Sequence, residues 1–194
     1  HAYLIYFSDA YNLREALKLF ALQLFNADKD SRIGRLILSE GFHDCKIYPA
    51  LNGKLNVDVA TDILAEASIQ PVETDKKVFI ISGFEEAQPV FQNKILKVLE
   101  EPPKGVYFLL GATSLSPILT TVISRVKLLE IPPFSVAQIY EALERRAKND
   151  LNMQVAKDCG GSLGVAENML SGEWYNQVYN VANTLCTADS KKRA

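Results

Sequence analysis

Lys77-Val78-Phe79-Ile80-Ile81, the run Pro89-Val90-Phe91-Gln92-Asn93-Lys94-Ile95-Leu96-Lys97-Val98-Leu99-Glu100-Glu101-Pro102-Pro103, and then Val106-Tyr107-Phe108-Leu109-Leu110 decide how this chain folds. The two short, unbroken apolar runs, Val78–Ile81 and Val106–Leu110, are what strands covered on both faces of a parallel sheet require. Between them, Phe91, Ile95, Val98 and Leu99 recur at helical spacing and predict one buried stripe. Pro89 suits a first helical position, where its missing N–H costs nothing. Pro102-Pro103 forbids continuation. The stretch therefore predicts a β-α-β crossover: a strand, the loop Ser82 to Gln88, a helix, and a second strand.

The same residues carry a resemblance. Gln92-Asn93-Lys94-Ile95-Leu96-Lys97-Val98-Leu99-Glu100-Glu101-Pro102-Pro103 closely resembles the segment NALLKTLEEPP of bacterial clamp-loader AAA+ subunits, the gamma/tau and delta-prime subunits of DNA polymerase III. Phe108-Leu109-Leu110 through Ser124-Arg125-Val126 resembles their FLLATT…SRC run without a gap. The resemblance covers most of residues 1–172. It implies an α/β fold, a P-loop NTPase-like AAA+ parallel five-stranded sheet with a small C-terminal helical lid. By this alignment, 1–132 is the α/β domain, 133–172 the lid, and 173–194 the start of a truncated collar domain.

The chain, 194 residues with a net charge of −2, is long enough for a real core and is not built to grip nucleic acid by charge alone. No run reaches the length of a membrane span and no signal peptide is visible, so a cytoplasmic protein is expected. His1-Ala2-Tyr3 leads almost directly into a strand, and an upstream segment is expected. Cys45, Cys159 and Cys186 are far apart with no CxxC pair and read as reduced thiols. Many relatives place a four-cysteine zinc module where this chain has Asp28 to Gly41, a cysteine-free stretch; zinc is not expected.

Tyr3–Tyr6 predicts the first strand, and Leu13, Leu17, Phe20 and Leu24 mark a helix after the loop Phe7 to Asn12. A P-loop at this junction needs glycines for close backbone approach to phosphate, a lysine for the β/γ-phosphates and a hydroxyl for Mg²⁺. Laid on G-x-x-x-x-G-K-[ST], the chain offers Ser8, Leu13, Arg14 and Glu15. Both glycines, the lysine and the hydroxyl are missing, and Glu15 puts negative charge where phosphate would sit. Arg14 reads as a solvated helix-face arginine, with some anion affinity as the other reading.

Asp28 to Gly41 reads as a polar loop interrupted by Leu36-Ile37-Leu38. Phe42 to Pro49 resembles the start of the family's second strand. His43 and Asp44 invite a catalytic reading, yet no nucleophile or third ligand stands near them, and a turn is expected. Asn52-Gly53 signals another turn, and Asn56 to Ile69 a helix with Ile63, Leu64 and Ala67 inward. After Ile81 an active AAA+ protein would carry Asp-Glu, for Mg²⁺ and for the attacking water. Ser82-Gly83 stand there instead. Glu85 and Glu86 are read as solvated charges, with substitute catalytic acids as the alternative.

Gly111 to Thr121 resembles the sensor loop, with Ala112 and Thr113 at the family's Thr-Thr pair. Ser124-Arg125-Val126 resembles Ser-Arg-Cys, whose arginine enters the neighbouring subunit's ATP site. A planar, permanently charged guanidinium suits a transferring phosphoryl group, and such fingers supply roughly 10³–10⁵ in rate in GTPases. The alternative is an arginine that pins a loop through a carboxylate. Lys127–Ile131 predicts the fifth strand. Helices are expected from Val136 to about Lys148, from Leu151 to Cys159, after Ser162, and from Glu173 to about Leu185. Ser190-Lys191-Lys192-Arg193 reads as a polar tail. Gly164 replaces the second sensor arginine, and Ser162-Leu163-Gly164-Val165-Ala166 resembles the GSPGAA of delta-prime-type members.

The resemblance thus implies a subunit that binds neither ATP nor zinc and has no ATPase activity of its own. It would act in the polymerase III holoenzyme beside gamma/tau and delta subunits, supply Arg125 in trans, and help load the sliding clamp onto primed DNA. A gamma/tau-like ATPase with divergent nucleotide residues and a purely structural AAA+ scaffold are the two other readings.

Overall fold

The computed structural model describes residues 1–50, 53–172 and 174–181. It comprises two compact units, His1–Pro132 and Pro133–Ala194. In the first unit, strands β1 (Ala2–Phe7), β2 (Cys45–Tyr48), β3 (Lys77–Ile81), β4 (Val106–Ala112) and β5 (Lys127–Ile131) form a five-stranded sheet in the order β2-β3-β4-β1-β5. Every neighbouring pair is parallel. Helices α1 (Leu13–Phe25), α2 (Arg32–Leu38), α3 (Val57–Ala67), α4 (Pro89–Glu100) and α5 (Thr120–Ile123) fill the connections.

Alternation along the strands sorts the core into two layers. Leu4, Phe79, Ile81, Phe108 and Leu110 face one way and pack with Ala60 and Ile63 of α3 and Phe91, Ile95 and Leu99 of α4. Ile5, Val78, Ile80 and Leu109 face the other way, onto Leu17 and Ala21 of α1 and Ile37 of α2. With both faces covered, β3 is buried along its whole length, which is why it reads as a continuous apolar run. The register pairs Phe79 with Phe108, whose rings stack at 5.1 Å.

Two expectations are corrected. The stretch Asp28 to Gly41 is not simply a loop: α2 runs through it, capped by Ser31, whose hydroxyl accepts from the Gly34 N–H at 2.9 Å. Ile37, inside the apolar interruption, is fully buried and ties this short helix to the sheet. Likewise, Gly111 and Ala112 belong to β4 rather than to the loop. Gly111 is there because α1 crosses directly above it: a Cβ would meet Leu17 Cδ1 at 2.5 Å. The expected Asn52-Gly53 turn lies partly outside the described residues, although the Gly53 N–H donates to Ala50 O at 2.8 Å.

The second unit contains α6 (Val136–Arg146), α7 (Asn152–Asp158) and α8 (Leu163–Ser171). Ser135 and Gln138 make a reciprocal capping box that starts α6. Gly160 and Gly161 both adopt positive φ after α7, a backbone that glycine adopts without strain. Ile139, Leu143, Val155, Ala156, Cys159 and Ala166 form the core. Residues 174–181 are helical, and Tyr175 packs into this same core with its hydroxyl on Asp158 at 2.7 Å. Glu173, Leu185, Cys186 and the tail Ser190–Arg193 lie outside the described residues.

Candidate functional site: the carboxyl edge of the sheet and an exposed arginine

In an open α/β sheet, ligands bind beyond the carboxyl ends of the strands. Adjacent strands β3, β4 and β1 bring the three sequence-derived positions to that edge: Ser82-Gly83, Ala112-Thr113, and Ser8 with the start of α1. The residues at this edge bind one another. Ser8 is exposed and Leu13 is core. Between them, Asp9 is fully buried and accepts from the Asn12 N–H at 3.3 Å and from Asn12 Nδ2 at 2.9 Å. The loop that would wrap a phosphate is folded around its own carboxylate.

Arg14 is not a solvated arginine. Its Nε and Nη2 make a bidentate pair with Glu40 at 2.7 and 2.6 Å, and its Nη1 donates to Pro49 O at 2.9 Å. Glu40 follows α2, the helix missed in the sequence, and so its approach to α1 was equally invisible. Lys18, nearly buried, joins the cage through Glu15 at 2.7 Å, Glu40 at 3.0 Å and Leu38 O at 3.1 Å. Two cations and two carboxylates thus neutralise each other, and a phosphate chain would have to displace Glu40. Cys45 lies nearby, its thiol pushed up to about 12 by burial and by the Glu40 charge, which leaves it an inert core residue.

The Arg14 hydrogen bond, with help from Lys18, outweighs burial and holds the Glu40 carboxyl at about 2, below its ordinary 4.5. Because the folded value lies below the unfolded one, this stabilisation is complete above about 4.5 and is lost as pH falls towards 2. Glu40→Gln is expected to cost about 2 kcal/mol at neutral pH by leaving two half-compensated cations, and to flatten the acid limb of the stability curve. Equal urea midpoints for variant and parent at pH 7 would refute the cage.

Ser82, read in the sequence as standing at the Walker B position, continues the sheet ladder through its N–H to Tyr48 O at 2.8 Å. Gly83 adopts φ 68°, a conformation that strains a side-chain-bearing residue, so the turn itself works against an acid here. Glu85, in a 3₁₀ turn over Phe84–Glu86, is not a solvated charge. Its Oε1 accepts from the Thr113 N–H at 2.8 Å and also from the Thr113 hydroxyl. The Glu85 carboxylate therefore holds Thr113, just past the end of β4, in place. Ala112 is buried at the end of β4, and Glu86 is exposed.

Arg125 stands apart from this edge, just past α5, and is exposed. Its Nε donates to Glu100 Oε2 at 2.8 Å, and its Nη1 to Thr121 O at 3.0 Å and weakly to Ser124 Oγ at 3.5 Å. Ser124 in turn donates to Thr121 O at 3.1 Å. His43 and Asp44 point apart: His43 is exposed, whereas buried Asp44 anchors residues 72–74. Gly164 lies in the first turn of α8, which Ser162 caps by accepting from the Val165 N–H at 3.1 Å. Among the described residues, no cluster of His, Cys, Asp or Glu is placed to hold a metal ion, and no helix is long and apolar enough to cross a membrane.

A five-stranded parallel sheet in this order, covered by helices on both faces, is an α/β fold of the AAA+ type. Its fold is similar to that of a DNA polymerase III gamma subunit-related protein from Thermotoga maritima, with a TM-score of 0.57 and 18% identity, over 82% of this chain and 53% of that one. A point variant of Thermotoga maritima RuvB is similar at a TM-score of 0.50 and 14% identity, over 82% of this chain and 59% of that one. In sequence, the family described as DNA polymerase III, delta subunit matches residues 1–135. The DNA polymerase III subunit delta-prime of Haemophilus influenzae is 34% identical over 90 residues, 45% of this chain and 28% of that protein. The chain belongs to this DNA polymerase III, delta subunit family. It matches little more than a quarter of the length of that curated relative and about half of the gamma-related structure.

Proposed function

We propose that this chain is a non-catalytic subunit of the DNA polymerase III clamp loader that lends Arg125 to the ATP site of a neighbouring gamma/tau-type subunit. Together with a delta subunit, it would help open the sliding clamp for loading onto primed DNA. The observation that carries the non-catalytic part is the cage: Arg14, at the Walker lysine position, is held by Glu40 and Pro49 O. A subunit that its own nucleotide cannot switch is free to hold an adjacent site in register. Titration of the chain with Mg-ATP is expected to show no saturable binding up to millimolar concentrations. Saturable binding would overturn this reading and revive a divergent gamma/tau-like ATPase.

The pair between Arg125 and Glu100 supports a second reading, in which Arg125 only pins its loop and the subunit is a scaffold. ATP hydrolysis by the assembled complex separates the two. The finger requires a loss of rate when Arg125 is removed; an unchanged rate leaves the scaffold.

A further inference from the structure

We propose that Gln92 is the positioning residue for the segment that carries Arg125, an inference that rests on the reading of Arg125 as a trans finger. Gln92 is fully buried in α4, an expensive place for a primary amide unless every polar atom is used. Its Nε2 donates to Ala87 O at 2.9 Å and to Pro117 O at 3.2 Å, and its Oε1 accepts from the Leu119 N–H at 2.8 Å. Two of these three bonds reach across to the loop that opens α5.

That loop needs help. The N-cap of α5 is Leu119, which supplies no side-chain cap, and the helix is a single turn. One turn does not persist by its own hydrogen bonds. In a capping box, a side chain within the helix reaches back to the N-cap N–H; here Gln92 does so from a different helix. Arg125 follows at once, its guanidinium returning to Thr121 O. Glu100, eight positions after Gln92 in α4 and so about 12 Å further along its axis, meets the other end of the segment through Arg125 Nε at 2.8 Å. Glu100 is exposed and its bond is exchangeable; the buried amide is the fixed point. Gln92 thus sets where the guanidinium starts from when it leaves Glu100 for a phosphoryl group.

The test uses the complex reconstituted with gamma/tau and delta subunits and compares Gln92→Met, Gln92→Asn, Arg125→Ala and the double variant Gln92→Met/Arg125→Ala. Gln92→Met keeps the volume and loses all three bonds. Gln92→Asn is a shorter amide that falls short of the loop and serves if the first variant does not fold. Either is expected to assemble and to slow clamp- and primer-stimulated ATP hydrolysis about tenfold or more, since a misplacement of about 1 Å can cost 10²-fold. Amide exchange at Leu119 is expected to accelerate while that of the β3 and β4 amides stays put. On the Arg125→Ala background, Gln92→Met is expected to add nothing. A full rate in both Gln92 variants, beside a slowed Arg125→Ala, overturns the positioning role alone. An equal further loss in the double variant also overturns it, because a general structural defect does not depend on Arg125. A full rate in Arg125→Ala overturns the finger reading, and this inference with it.

Discussion

As the trans finger proposed above, Arg125 replaced by alanine is expected to slow ATP hydrolysis by the assembled complex by about 10²-fold or more. GTPase fingers set the scale at roughly 10³–10⁵. The objection is that Arg125 already has a partner, and magnitudes answer it. An exposed pair of this kind is worth about 0–1 kcal/mol, so breaking it costs at most about a fivefold population shift. Charge-assisted bonds to a phosphoryl group contribute about 1.5–3 kcal/mol each, and a guanidinium offers several in one plane. For the proposed finger, the pair with Glu100 is therefore a resting contact too weak to hold the side chain back. Two further substitutions sharpen the expectation. Arg125→Lys keeps the charge but loses the planar fork and is expected to recover only a minor part of the rate. Glu100→Gln removes the parking partner and is expected to leave the rate within about fivefold of the parent. A steep loss in Glu100→Gln, matched by equally slow Arg125→Ala, would mean that the pair itself is what matters and that Arg125 pins its loop.

What the sequence disclosed follows from how far apart the interacting residues lie. Strand β3 and the core of β4 were legible because burial on both faces leaves an unbroken apolar run, and α4 because prolines bound it. The far end of β4 was not, because Gly111 reads as a loop residue until Leu17 of α1 is seen above it. Helix α2 is short and polar at its flanks; Ser31 three residues before Gly34, with Ile33 and Ile37 one turn apart, was the available signal. The lack of P-loop residue types was legible too, since it is a matter of residue identity at fixed spacing. What those positions bind instead was not. Arg14 meets Glu40 across 26 positions and Thr113 meets Glu85 across 28, and no local pattern announces such pairs. The same holds for Gln92 and Leu119, 27 positions apart. Arg14 and Glu85, which read as solvated charges, and the amide of Gln92 are each engaged by a partner more than 25 positions away, and these bonds fix the loops around the sheet's carboxyl edge.

Asp44 is the extreme case of that pattern, and its removal is expected to produce the largest loss of stability: about 3–4 kcal/mol for Asp44→Ala. The side chain is fully buried and accepts from the Val72, Glu73 and Thr74 N–H groups at 2.7, 2.9 and 2.8 Å and from the Thr74 hydroxyl at 3.0 Å. Its own carbonyl accepts from the Val78 N–H at 2.8 Å. One residue thus fixes both the start of β2 and the segment that delivers β3 to the sheet. Alanine keeps the carbonyl bond and orphans three backbone donors, each costing about 1–3 kcal/mol where water cannot reach. Val72 and Glu73 are exposed, so water recovers part of this and the lower half of the summed range applies. Burial alone would raise the Asp44 pKa, but the four donors outweigh it and hold the carboxyl below its ordinary 3.8. A depressed folded value means that the contribution is complete above the unfolded pKa and lost as pH falls below about 3.8. The gap in urea midpoint between parent and Asp44→Ala is therefore expected to be wide at pH 7 and to narrow steadily below that value. Asp44→Asn, with one acceptor oxygen in place of two, is expected to fall between them. A gap that is wide but independent of pH would assign the loss to packing, and would mean that the carboxylate's charge does not organise the approach of β3 to β2.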